Sequence, residues 1–253
     1  MTLDFLPQMA FAFMLIFARV GTLIMLMPAL GDERVPVRIR LVFALVFTLV
    51  LYPLVADAYP ALPGSLPAIL ELAAGEMAVG FFIGLIARLI TGALQVAGAT
   101  IAFQMGLGFA QGVDPTQGTQ GALVTSFLSV LGVTLIFTTD LHHLLIAAIH
   151  DSYLLFVPGA PLPVGDAAEM ATNVVTQVFR VGAQMAAPFI VFGLTFYLGL
   201  GVLSRLMPQI QIFFVALPAN IMLGLLLIAV LLSVTMGWFL NHVTTAIEPF
   251  IAQ

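Results

Sequence analysis

The chain has 253 residues, 62% of them hydrophobic and 8% charged, with a mean hydropathy of +1.17. Soluble domains carry about 25% charged and about 45–50% apolar residues, so the composition excludes a water-soluble globule and points to a single unit solvated by lipid or by equally apolar chains. Seven arginines, no lysine and twelve carboxylates give a net charge of −5 and no basic stretch, which excludes a nucleic-acid partner bound through its phosphates. The lack of cysteine removes disulfides, thiolate metal sites and thiol catalysis. The start, Met1-Thr2-Leu3-Asp4, has no positive n-region, so the first apolar run is not expected to be a cleavable signal peptide.

Apolar runs fall at roughly 5–30, 41–56, 66–103, 122–139, 144–157, 170–204 and 210–240. A helix crosses a bilayer with about 20 mostly apolar residues. Six of these runs are therefore expected to cross, and the short run 144–157 to be re-entrant or packed. No period of two extends over ten-residue segments, which argues against a transmembrane barrel and for an all-α polytopic membrane protein. Arg34, Arg38 and Arg40 cluster in the first connection, which the positive-inside rule makes cytoplasmic. Counting crossings puts Arg205 on the same side. The connections 53–67 and 158–169, with Asp57, Asp166, Glu169 and no Arg, fall outside, as do both termini.

Several features fit poorly with lipid on every side. The run 66–103 extends about 57 Å as one helix, nearly twice the ~30 Å hydrocarbon core, and carries Glu71, Glu76 and Arg88. Arg19 sits in the first run, and Arg180 and Pro188 in the sixth. A charge at mid-bilayer costs at least about 2.5–3.5 kcal/mol and faces protein or water. Burial among other chains is the expectation. Gly80-Phe81-Phe82-Ile83-Gly84, and the series Gly193, Gly199 and Gly201, offer small-residue faces for close helix approach.

The stretch 104–121 holds Gly106, Gly108, Gly112, Gly118, Gly121, Pro115, Asp114 and four glutamines, Gln111 among them. Gly and Pro are about 1 and 3 kcal/mol worse than Ala in a helix, so it is expected to be irregular, with a turn at Asp114-Pro115. Irregular backbone at membrane depth survives only against protein or a watery cavity. The residues themselves read either as an ordinary connection in water or as a mobile plug in a conduit.

Asp140-Leu141-His142-His143 and His150-Asp151 suggest a metal, with His143 and His150 seven apart on one helix face. A zinc site needs three or four convergent ligands; capping by Asp140 and interfacial histidines are the simpler expectation, so no metal is assigned. No serine has the Gly-x-Ser-x-Gly turn and no Walker loop is present, which leaves no catalytic residues to name. Glu71, Glu76, Arg19, Arg88 and Arg180 read as ion pairs between helices or as the proton relay of a small-solute secondary transporter. The latter predicts an internal repeat, which the two halves do not display.

Together these residues resemble the FliR family of flagellar type III export-gate membrane proteins and their SctT injectisome relatives. The resemblance rests on Arg19-Val20-Gly21, Pro28-Ala29-Leu30-Gly31, Val35-Pro36 with Arg38 and Arg40, and Gln104-Met105-Gly106-Leu107 with Asp114-Pro115. It continues through Asp140-x-His142-His143, Ser152-Tyr153 and Pro158-Gly159. Its most specific block is Ser204-Arg205-Leu206-Met207-Pro208-Gln209-Ile210-Gln211-Ile212-Phe213-Phe214-Val215-Ala216-Leu217-Pro218. A departure is Leu141, where relatives often carry Gly. The resemblance implies a single unit of residues 1–253: a FliP-like part (1–169) followed by a FliQ-like helical hairpin (170–253), packed in a helical hetero-oligomer. It implies a non-enzymatic role without cofactor, in the bacterial inner membrane at the flagellar basal body. Implied partners are FliP, FliQ and FlhB homologues and the unfolded export substrates that pass through the pore. Carried over by residue, Gly106, Gly108, Gln111, Gly112, Asp114, Pro115, Gly118 and Gly121 belong to the pore plug. Arg205, Pro208 and Gln209 lie at the cytoplasmic tip of the hairpin. Arg19, Glu71, Glu76, Arg88, Arg180, Gly80 and Gly84 are the expected subunit-packing or embedded-charge positions.

Overall fold

The computed structural model describes residues 5–32, 35–107, 120–207 and 212–251, and among them it is helical with no strand. Among the described residues seven α-helices follow in order: α1 (Phe5–Leu26), α2 (Val37–Val55), α3 (Leu66–Gln104), α4 (Gln120–Thr138), α5 (Leu141–Leu155), α6 (Val164–Leu206) and α7 (Ile212–Ile247). Short 3-10 turns occupy Ala56–Ala58 and Glu248–Phe250. Among the described residues five helical segments are long and apolar enough to cross a membrane, and a sixth if α4 and α5 form one broken span bent by 75°. The short run 144–157 thus becomes the second limb of a bent pair. Its corner is Asp140, whose backbone is left-handed (φ 60°, ψ 11°) and whose side chain makes no cap hydrogen bond. The expected capping by Asp140 is therefore wrong: a capping side chain needs extended backbone at that position, and here the residue is spent on the turn.

The chain forms two compact units interleaved in sequence: Met1–Ile90, Thr139–Val174 and Thr244–Gln253 in one, Thr91–Thr138 and Val175–Val243 in the other. α3, at about 58 Å, contributes its first part to one unit and its last part to the other.

In the first unit α1 is the central rod. It packs against α2, with Phe13 and Tyr52 rings 6.3 Å apart. Gln8 secures the connection after α2, donating to the Pro60 carbonyl (3.2 Å) and accepting from the Leu62 N–H (2.7 Å). Against α3 the approach is closer. A Cβ at Gly80 would overlap the Arg19 carbonyl oxygen, and one at Gly84 would lie 2.9 Å from Leu26 Cβ and 3.0 Å from the Leu23 carbonyl oxygen. The glycine step read as a surface for sister subunits is thus filled by α1 of the same chain, because only a missing Cβ lets two helix backbones come this near. The buried core here includes Leu15, Ile16, Val20 and Ile24 of α1, Ile86 and Ile90 of α3, and Ile149 of α5.

In the second unit Leu94, Ala97 and Ile101 of α3 are buried, as are Met105 just after it, Leu128 of α4, Met185 and Phe189 of α6 and Phe239 of α7. Much of the apolar surface remains uncovered: in an 18-residue apolar window of α6 only 17% is buried within the chain, and in one of α7 11%. In water such faces would drive association; here they are left for lipid or for other subunits.

Gly80→Ala should lower stability by about 1–3 kcal/mol through overpacking, read as a lower melting temperature in mild detergent. Gly75→Ala, where a Cβ meets nothing within 4 Å, should be neutral or stabilising by up to about 1 kcal/mol.

Candidate functional site

Two polar constructions stand out, one in each unit. In the second, α3 ends where the glycine- and glutamine-rich stretch begins. Gly106 has φ +81°, a backbone region that L side chains enter only with strain. Its N–H bonds the Phe103 carbonyl (3.0 Å), the Leu107 N–H bonds the Ala102 carbonyl (3.0 Å), and the Met105 N–H still bonds Ile101 (3.0 Å). This is a Schellman termination, which takes up helix-end carbonyls that would otherwise lack donors. The fourth carbonyl, that of Gln104, accepts from the Asn220 Nδ2 of α7 at 3.2 Å. The same Nδ2 reaches the Tyr197 hydroxyl of α6 at 3.4 Å.

Glycines on the facing helices make room for these residues. A Cβ at Gly193 of α6 would overlap the Gln104 side-chain amide, and one at Gly224 of α7 would overlap the Met105 side chain. A Cβ at Gly106 itself would lie 2.9 Å from Leu217 Cδ1 and 3.2 Å from Asn220 Nδ2. The segment 104–106 is thus a clamped post. Met105 is fully buried, so it packs the post. The contact of Asn220 with the end of α3 was not legible in the sequence; the available signal is that it is the lone amide in the apolar run 212–240.

In the first unit Arg19 and Glu76 are buried, 1% and 3% exposed. Arg19 Nε and Nη2 donate to the two carboxylate oxygens of Glu76 at 2.6 and 3.0 Å. Nη1 donates to the Ser152 carbonyl (2.9 Å) and Oγ (3.4 Å), and Nη2 also to the Phe156 carbonyl (2.9 Å). All five guanidinium donors are used. The Ser152 and Phe156 carbonyls lie at the end of α5, where the helix dipole favours a cation. The Tyr153 ring stacks beneath the guanidinium, 4.2 Å from its carbon. Tyr59 donates its hydroxyl proton to Glu76 Oε2 at 2.8 Å. Burial, reinforced by Tyr153 and by the Glu76 charge, raises the Tyr59 hydroxyl far above its usual range, so it remains a donor.

Glu71, Arg88 and Arg180 are exposed on α3 and α6, and Glu71 shares with Arg19 and Glu76 the lining of a cleft of about 830 Å³. Of the five embedded charges, Arg19 and Glu76 form a buried ion pair, and Glu71, Arg88 and Arg180 are exposed. Arg205 is exposed in the last turn of α6, and Gly121 lies in the first turn of α4. Gly108, Gln111, Gly112, Asp114, Pro115, Gly118, Pro208, Gln209 and Arg34 lie outside the described residues.

The histidines group differently from their spacing. His150 pairs with Asp151 (2.8 Å), whereas Asp140, His142 and His143 bring one ligand atom each within 4.8 Å of one another. Three N/O donors thus converge at the α4–α5 corner. A structural zinc site closes with four, and the Asp140 and His143 side chains are 77% and 67% exposed.

Replacing Arg19 alone by Met should strand the Glu76 carboxylate and cost about 3–5 kcal/mol. The double variant Arg19→Met with Glu76→Leu should recover most of that loss in thermal unfolding, because no buried charge remains. A double variant as unstable as the single one would refute the pairing.

Comparison with known proteins adds the following. Residues 10–246 match the family model described as bacterial export proteins, family 1. The chain is 46% identical over 225 residues to the flagellar biosynthetic protein FliR of Caulobacter vibrioides, covering 88% of this chain and 90% of that protein. It is 30% identical over 240 residues to the protein of the same name from Bacillus subtilis, covering 94% and 92%. With the Yop proteins translocation protein T of Yersinia pestis it shares 23% identity over 233 residues, covering 91% and 89%.

Proposed function

The chain belongs to family 1 of the bacterial export proteins, the family of the flagellar biosynthetic protein FliR, and from that premise we propose that it is the FliR component of a flagellar protein export gate. In this reading it sits in the bacterial inner membrane at the flagellar basal body and has no enzymatic role. With FliP and FliQ homologues it lines the pore through which unfolded flagellar subunits leave the cell, and an FlhB homologue lies at the entrance. Residues 1–169 are the FliP-like part and 170–253 the FliQ-like hairpin. The observation that carries the reading is the 46% identity to a FliR protein over nearly the full length of both chains. An injectisome gate is the weaker alternative, since the Yersinia translocation protein is only 23% identical.

Physical features of the chain support a place inside an assembly. α3 and α6 exceed a bilayer's hydrocarbon thickness, and they carry exposed Glu71, Arg88 and Arg180. Lipid receives such charges poorly, whereas neighbouring subunits or a watery passage receive them well. The plug is the stretch 106–121, with Gly106 as its fixed start. A closed gate must retain ions yet yield to an unfolded chain of any sequence. Strong charged sites along the passage would bind some cargo and stall it. Glycine and glutamine backbone with Asp114 as the lone charge yields and reseals without such sites.

Replacing 108–119 by a short glycine–serine linker should raise leakage of small solutes through the assembled gate while export of flagellar subunits continues. Leakage equal to that of the wild type, with the gate assembled, would contradict the plug assignment.

A further inference from the structure

We propose that Asp140, His142 and His143 form an exchangeable binding site for a divalent transition cation of the Zn²⁺ class, completed by water. The site goes beyond the export reading and does not rest on it. Its three side chains all belong to the first unit, at the left-handed turn that starts α5.

The structure removes the simpler roles for these residues. Asp140 makes no cap hydrogen bond, and its carboxylate stands 3.8 Å from His143 Nδ1, beyond hydrogen-bond reach. His150, seven residues beyond His143, lies instead against Asp151 at 2.8 Å. What comes together is one ligand atom from each of Asp140, His142 and His143, all within 4.8 Å of one another. The two imidazole rings have their centroids 4.2 Å apart. A tetrahedral ion with bonds of about 2.0–2.1 Å holds its ligand atoms roughly 3.3 Å apart. The difference closes by side-chain rotation, for which the exposed Asp140 and His143 have room. The backbone already presents the three donors on one turn: the His143 N–H bonds the Asp140 carbonyl at 3.0 Å, and Asp140 is left-handed with φ 60°. Binding therefore orders side chains and little else, which keeps its entropic cost small.

The donor set selects the ion. Two imidazole nitrogens and one carboxylate oxygen suit Zn²⁺, Ni²⁺, Cu²⁺ or Co²⁺, whereas Ca²⁺ and Mg²⁺ take oxygen ligands. Asp140 supplies the negative charge, and the histidines bind as neutral imidazoles. A structural zinc site closes with four protein ligands; three leave a position for water. The exposure of Asp140 and His143 is what such an open site requires, since the ion is reached from water. The bound ion exchanges with solution and, while in place, ties the residue at the turn to the first turn of α5.

The test uses the full chain, purified in mild detergent without a polyhistidine tag, stripped with a chelator and dialysed against micromolar Zn²⁺, with bound metal read by mass spectrometry. One ion per chain should bind saturably, and a large excess of Ca²⁺ should not displace it. His142→Ala and His143→Ala should each weaken binding at least about tenfold, the loss that even an outer partner of a metal ligand produces. Asp140→Asn, which tolerates the left-handed turn, should weaken it by a similar factor. His150→Ala and His242→Ala should leave it unchanged. Should His142→Ala fail to fold, as its half-buried ring allows, His142→Gln takes its place with the same expectation. Absence of saturable Zn²⁺ binding overturns the inference. Binding that survives replacement of both His142 and His143 also overturns it, because the ion then sits elsewhere on the chain. Displacement by Ca²⁺ overturns the assignment of the imidazoles as ligands, and with it the site.

Discussion

A guanidinium does not shed its charge, so once α1 carries Arg19 into the interior of the first unit every adjacent element has to answer it. α3 supplies the Glu76 carboxylate, α5 supplies the carbonyls at its C-terminal end, and the connection after α2 supplies Tyr59 to the far side of that carboxylate. Four segments distant in sequence are thereby brought to one point. Apolar side chains cannot do this in a membrane protein, since lipid competes equally well for them. The glycine at 80 then lets α3 close directly onto the Arg19 backbone. Direction comes from the ion pair and proximity from the missing Cβ.

The second unit obeys the same rule with neutral groups. Backbone polarity at the end of α3 has to be satisfied before the chain leaves helical geometry, and it is, by a left-handed glycine and one amide from α7. Both units thus spend their few polar side chains on fixing where helices end and meet. What remains outside are the exposed charges on α3 and α6 and the largely uncovered apolar stretches of α6 and α7.

The helices themselves were largely legible. Runs read at 66–103 and 122–139 became Leu66–Gln104 and Gln120–Thr138, because long apolar segments have few alternatives to helix in lipid. Arg19 and Glu76 were recognisable as embedded charges, but their pairing was not. They lie 57 residues apart, and Glu71, Arg88 and Arg180 were equally eligible partners. Gly80 and Gly84 were legible as small-residue positions suited to close approach, but not that α1 of the same chain approaches them, since a motif specifies the approach and not the partner. Asp140 misled because a residue type favoured as a cap was needed for a left-handed corner. Asn220 escaped notice since a single amide in an apolar run has many uses, and only coordinates reveal that it faces a helix end.

The central claim is that the exposed helical faces of this chain are made to be covered by other protein. The natural chain has no cysteine, so a single introduced thiol reports unambiguously. Phe179, 61% exposed beside Arg180 on α6, is a suitable position. A photo-reactive maleimide on Phe179→Cys, activated in native membranes, should form adducts with another gate subunit. Adducts with lipid alone, from gates that still assemble and export, would contradict the account.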